Sequence, residues 1–103
     1  PVHKSMEKTF CVYILTNKMY GTFYVGVTSN LPKRIWEHRN KVVEGFSKEQ
    51  DLTLLVYYEV HENPEPAIKR EKRLKKWNRK WKIELIQKQN PEWEDLYQSI
   101  ASG

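Results

Sequence analysis

A chain of 103 residues holds one small domain and too little apolar mass for two independent cores. Eighteen Lys and Arg against 13 Asp and Glu give a net charge of +5, which makes polyanions the default partner. A hydrophobic fraction of 39%, with 13% aromatic residues, excludes a disordered basic tail, and the lone Cys11 excludes an intrachain disulfide scaffold and suits a reducing compartment.

No apolar run reaches the roughly 18 residues that a bilayer span requires, and the first dozen residues carry no signal-peptide pattern. The expectation is a cytoplasmic protein with no membrane partner, one domain at 6–97, and terminal extensions at 1–5 and 98–103. Residues 9–15 (TFCVYIL) and 22–27 (TFYVGV) are β-branched, aromatic or aliphatic and read as strands. The polar TNKMYG between them suits a hairpin. Alternation places Tyr13 with Cys11 and Leu15, and Tyr24 with Gly26, and leaves the register open. Gly26 inside a strand signals a bulge or the close approach of another backbone.

Thr28, Ser29 and Asn30 supply capping side chains and Pro32 suits a first turn, so a helix of about three turns is predicted over 33–45 (KRIWEHRNKVVEG), stopped by Gly45. Arg34 and His38, four apart, share a stripe beside Ile35 and Trp36. Residues 53–60 (TLLVYYEV) read as a third, more buried strand. Pro64 and Pro66 open a second helix predicted over 66–81. Its apolar stripe of Ala67, Leu74, Trp77 and Trp81 lacks one member, and Glu71 stands in that place. Residues 82–89 continue as helix after or through a break, Asn90 and Pro91 end it, and PEWEDLY makes a last short turn packing Trp93 and Leu96.

Residues 69–82 hold nine basic residues and one acid, a local charge of +8, whereas the rest of the chain sums to −3. Lys69, Arg70, Lys72, Arg73, Lys75, Lys76, Arg79 and Lys80 around one helix suffice to neutralise several phosphates; the alternative is a solvated helix face. An inward carboxylate costs free energy unless it is paired or binds a cation. For Glu71 the choices are an ion pair with Lys75 or Arg34, or a hard ion such as Mg²⁺, which commonly takes only one or two protein carboxylates. Tyr13 and Tyr24 suit simple packing as well as chemistry, and His38 serves as ligand, base or ordinary helix histidine. His3 and His61 have no metal-ligand spacing with Cys11, which argues against a structural zinc site.

Together these residues resemble the GIY-YIG nuclease family, in particular its small stand-alone bacterial members, which are similar to the amino-terminal nuclease domain of the UvrC repair protein. The half-motifs stand as Cys11-Val12-Tyr13 and Tyr24-Val25-Gly26. Arg34 follows Tyr24 by ten residues, and His38 completes R-x-x-x-H. LVYYE at 55–59, A-x-x-R-E-K-x-L-K-x-W at 67–77 and NPEWEDL at 90–96 occupy the later places. Cys11 replaces the leading Gly, Val27 stands where repair-type relatives often carry Lys, and Gln50 where many small relatives carry an aromatic residue.

The resemblance implies an α+β fold with a small three-stranded antiparallel sheet flanked by helices. It also implies an endonuclease that hydrolyses DNA phosphodiester bonds in repair or recombination, with one Mg²⁺ or Mn²⁺ held by Glu71. Tyr13, Tyr24, Arg34, His38 and Glu71 are then catalytic: Arg34 on the phosphate, Tyr13 as base with His38 its rival, and Tyr24 positioning the phosphate. Gly26, Arg70, Arg73, Lys75, Lys76 and Arg79 contact substrate. DNA is the partner, and a homodimer or protein partner would extend so small a surface. Two other classes stand beside this one. A nucleic-acid-binding module keeps the basic 69–82 segment and cleaves weakly or not at all; an adaptor using exposed Trp and Tyr leaves the +8 segment unexplained.

Overall fold

In the computed structural model, which describes residues 9–40 and 51–101, the β-branched and aromatic runs form β1 (Phe10–Thr16), β2 (Phe23–Thr28) and β3 (Leu54–His61). They pair antiparallel in the order β2-β1-β3. This α+β architecture is the expected one, with a correction to which strand lies deepest. β1 is bonded along both edges and is buried from Cys11 to Thr16, whereas β3 is an edge whose Val60 is 57% exposed. The β1–β2 connection is the expected hairpin. Its turn is held by the Asn17 side chain, which accepts from the Thr22 backbone N–H at 3.0 Å, and by Tyr20 in the left-handed region at φ 58°.

Period-two alternation on β1 splits the core into two layers. Val12 and Ile14 face Ala67, Leu74 and Ile86 on one side of the sheet. Cys11, Tyr13 and Leu15 face Leu31, Ile35 and Leu52 on the other. The second layer is covered by α1 (Leu31–Arg39), which starts where Asn30 accepts a hydrogen bond from the Lys33 N–H. Leu31, Ile35 and His38 form its buried stripe. Trp36, expected on that stripe, lies one residue off it, about 100° around the helix, and is half exposed. The expected continuation through Val42 and Val43 to Gly45 lies outside the described residues, as do His3 and Gln50.

The first layer is covered by α2 (Pro64–Lys76) and α3 (Arg79–Gln89). The single helix expected over 66–81 is thus two. Trp77 turns to extended backbone (φ −64°, ψ 148°), and the Asn78 side chain accepts from the Trp81 N–H at 2.9 Å, capping a new helix. Arg79, Lys80 and Trp81 therefore leave the face that carries Glu71. After α3, the buried Asn90 side chain donates to the carbonyls of Val56 (3.1 Å) and Glu94 (2.8 Å), pinning the chain end to β3. Trp93, at φ 56°, packs against Tyr20 and Phe23.

The expected domain end at 97 falls at the start of a further helix, α4 (Tyr97–Ala101). Tyr97 and Ile100 pack on the α1 side of the core, so the domain runs beyond that boundary. Asp95 links β3 to α1: it accepts from the Leu55 N–H at 3.3 Å and pairs with Arg39, whose guanidinium lies 4.4 Å from the Tyr97 ring centroid. These contacts clamp α1 to the sheet. Among the described residues no helix is long and apolar enough to cross a membrane.

Candidate active site

Pairing in the β1–β2 hairpin sets Tyr13 opposite Gly26 and Leu15 opposite Tyr24. Both tyrosines therefore stand on the face beneath α1, with ring centroids 6.3 Å apart. A Cβ on Gly26 would lie 2.5 Å from both Cζ and Oη of Tyr13. The close approach that Gly26 permits is thus by the Tyr13 ring, and not by a second backbone as the strand glycine suggested.

α1 brings two further groups to this ring pair. His38 is 3% exposed, and its Nε2 lies 3.1 Å from Tyr13 Oη. The His38 ring centroid is 5.9 Å from Tyr13 and 5.4 Å from Tyr24. Arg34, one turn earlier, keeps a partly exposed guanidinium 3.4 Å from Glu37, which also pairs with Lys33 at 3.2 Å. Sequence reasoning overlooked Glu37, although its i,i+3 and i,i+4 spacing from Arg34 and Lys33 was the signal.

Burial raises the Tyr13 phenol well above its ordinary value; Tyr24, Glu71 and Glu37 push the same way, and Arg34 opposes them. An unassisted Tyr13 phenolate is therefore excluded at neutral pH. Burial, reinforced by Arg34, holds the His38 imidazole down at about 4 against the pull of Glu37. His38 is then neutral at pH 7, and in the tautomer protonated at Nδ1 its Nε2 accepts the Tyr13 O–H.

This gives a prediction in pH. The unfolded chain takes up the His38 proton near 6.5 and the folded chain near 4, so stability is whole above about 6.5 and falls as pH drops toward 4, by up to about 3 kcal/mol. Thermal denaturation across that window is expected to show the loss, and His38→Gln to remove its share. An NMR titration of the His38 ring is expected to place its midpoint near 4, and higher in Arg34→Ala. A midpoint unmoved by the Arg34 change contradicts the assigned cause.

Glu71 comes from α2, between the fully buried Ala67 and Leu74, and is 9% exposed. Lys75 Nζ meets its Oε2 at 2.6 Å. Of the two expected ion-pair partners Lys75 is the one observed; Arg34 is engaged by Glu37. The Glu71 charge adds to the upward push on the Tyr13 phenol, although α2 covers the layer opposite Tyr13. Among the described residues no three His, Cys, Asp or Glu side chains converge to hold a metal ion. The donor set still fits one hard cation on a single carboxylate, with water and phosphate completing its shell, because the Lys75 side chain is half exposed and free to swing away.

The expected substrate-binding cations divide. Arg70 donates from Nε to both Glu59 oxygens, at 3.0 and 3.3 Å, and lies 5.2 Å from the Trp77 ring centroid. Arg79 bonds the Tyr20 carbonyl and sits 4.6 Å from the Phe23 ring centroid. Both are held in intramolecular contacts. Arg73 and Lys76, with Lys69 and Lys72, instead line an open cleft of about 320 Å³ on α2. Glu59, given no role of its own in the sequence reading, also accepts from Tyr57 Oη at 2.5 Å and contacts His61 Nε2 at 2.7 Å. Burial pushes this carboxyl up, but these bonds and Arg70 outweigh it and hold Glu59 below its ordinary range. The signal was the alternation of Tyr57, Glu59 and His61 along one strand.

Known proteins share the family and the fold of this chain. The family model of the GIY-YIG catalytic domain matches residues 9–84. A UPF0213 protein of Clostridium perfringens is 36% identical over 89 residues, covering 86% of this chain and 95% of that protein. One from Syntrophus aciditrophicus is 39% identical over 90 residues, covering 84% and 98%. The solution NMR structure of a UPF0213 protein from Bacillus halodurans matches with a TM-score of 0.55 at 25% identity, covering 84% of this chain and 92% of that one.

Proposed function

The chain belongs to the GIY-YIG catalytic-domain family, and from that premise we propose that it is a cytoplasmic endonuclease that hydrolyses DNA phosphodiester bonds in repair or recombination, with one Mg²⁺ or Mn²⁺ on Glu71. The observation that carries this reading is the bond between Tyr13 and His38. It makes the two rival bases a single proton path. As water attacks, its proton passes to Tyr13 Oη while the Tyr13 proton passes to Nε2 of His38, so neither a free phenolate nor a surface histidine is needed.

Arg34 offers paired N–H donors to the non-bridging phosphate oxygens as their charge rearranges. A phosphate beside Arg34 also offsets the positive charge that depresses His38, so the imidazole becomes a better base as substrate binds. Tyr24 positions the phosphate from the adjacent strand, and Gly26 leaves room for the Tyr13 ring beneath it. A divalent ion on Glu71 supplies stabilisation of charge on the phosphate and the departing 3′ oxygen. Lys75, released from Glu71, joins Lys69, Lys72, Arg73 and Lys76 in neutralising neighbouring phosphates. A second copy or a protein partner extends the contact surface of so small a domain.

The ion pair between Lys75 and Glu71 favours a second reading, since it satisfies the carboxylate with no cation: a nucleic-acid-binding module that cleaves weakly or not at all. A double-mutant cycle on cleavage rate tests the proton path. Tyr13→Phe and His38→Gln are each expected to slow cleavage by roughly 10²- to 10⁴-fold, and the double variant to be no slower than the worse single. Losses that multiply in the double variant overturn the shared path.

A further inference from the structure

The break between α2 and α3 builds a second feature. Trp77 and Trp81 meet edge to face, with centroids 5.7 Å apart and planes at 86°. With Glu84, Leu85 and Lys88 they line an open cleft of about 430 Å³, largely apolar. The core does not require Trp81 there: α3 buries Ile86 against the sheet and leaves Trp81 51% exposed. Lys76 of the cationic α2 cleft directly precedes Trp77, and Arg70 lies over the Trp77 ring. The aromatic cleft is thus flanked by cationic side chains of α2.

A ligand that complements both must carry negative charge and a flat apolar face together. A duplex presents its phosphates and keeps its base faces stacked; an unpaired nucleotide presents both. Glu84 adds an acceptor and Lys88 a donor, suited to the polar edge of a base. We propose that the Trp77–Trp81 cleft stacks an unpaired nucleobase, so that the DNA taken by this chain carries a single-stranded segment. The inference deepens the nuclease reading and rests on it for the choice of DNA. Trp77 lies six residues beyond Glu71, roughly 9 Å of rise along the axis of α2.

The test is binding without a cation. In chelator, fluorescence anisotropy compares a short labelled oligothymidylate with a blunt duplex of the same length, for wild type, Trp81→Ala and Trp81→Phe. Trp81→Ala is expected to weaken oligothymidylate binding by roughly 5- to 100-fold, to leave the blunt duplex unchanged, and to lose most of the tryptophan quenching that accompanies binding. Trp81→Phe is expected to retain most of the affinity. Unchanged oligothymidylate binding in Trp81→Ala, or an equal loss on the duplex, overturns the proposal. So does a change in sedimentation mass with DNA affinity intact, which makes the cleft a contact between copies of the chain. A chain showing the expected pattern while cleaving no DNA keeps the cleft and refutes the nuclease reading; cleavage with Trp81-independent binding does the reverse.

Discussion

Glu71→Gln is expected to lower cation-dependent DNA cleavage by roughly 10³-fold or more while changing folding stability by less than about 1 kcal/mol. The two effects separate because the side chain has two roles. Its volume fills the inward stripe of α2 between Ala67 and Leu74, and glutamine keeps that volume. Its charge is matched by Lys75, whose half-exposed ammonium returns to water when the carboxylate is gone. A neutral amide, however, is a poor ligand for a hard divalent ion. Cleavage rates against Mg²⁺ and Mn²⁺ concentration, beside thermal denaturation of the same samples, check both halves. A variant that cleaves like wild type removes Glu71 from the reaction and supports the binding-module reading.

Gly26→Ala is expected to destabilise the fold by about 1–3 kcal/mol and to slow cleavage by roughly 10²-fold. The added methyl would stand 2.5 Å from the end of the Tyr13 ring. Tyr13 is 1% exposed, with Tyr24 and His38 packed beside it, so the ring has no empty space to enter. Relieving the clash must move the ring or β2, and either change disturbs the Tyr13 Oη to His38 Nε2 contact. Combining Gly26→Ala with Tyr13→Leu is expected to recover most of the stability cost and none of the activity. A Gly26→Ala protein that melts and cleaves like wild type contradicts the seating of Tyr13 over β2.

Local chemistry made much of this fold legible. The β-branched runs, the hairpin, the Asn30 cap and the proline opening of α2 each depend on neighbours a few residues away. Sheet order does not. β3 reads as the more buried strand, yet β1 is the central one because it pairs with both others, a long-range outcome that composition does not encode. The break at Trp77 and Asn78 was obscured by an apolar period that runs on to Trp81, although an Asn three residues before Trp81 is itself a capping signal.

The site was legible as a set of residues and not as a mechanism. Tyr13, Tyr24, Arg34, His38 and Glu71 carry the family resemblance, but Tyr13 and His38 stand 25 residues apart, and nothing local shows that they share a proton. Placing Ile35 and Trp36 together on the apolar face, with His38 at its border, also hid the stripe of Leu31, Ile35 and His38 that buries the imidazole and depresses its basicity. The evenly charged helix became a cationic face of Lys69, Lys72, Arg73 and Lys76, because Glu59 and Tyr20 engage Arg70 and Arg79. Those partners come from β3 and the hairpin turn, elements distant in sequence.

The most direct test of the central claim is cleavage of end-labelled plain, flapped and branched DNA in Mg²⁺ and in Mn²⁺, with wild type and Tyr13→Phe side by side. Wild type is expected to cut at least one of these DNAs only with the cation present, leaving 3′-hydroxyl ends, and Tyr13→Phe to bind the same DNA equally well but cut it at least roughly 10²-fold more slowly. Salt-sensitive binding of every DNA by wild type with no cation-dependent cut, or equal cutting by the two proteins, would contradict it.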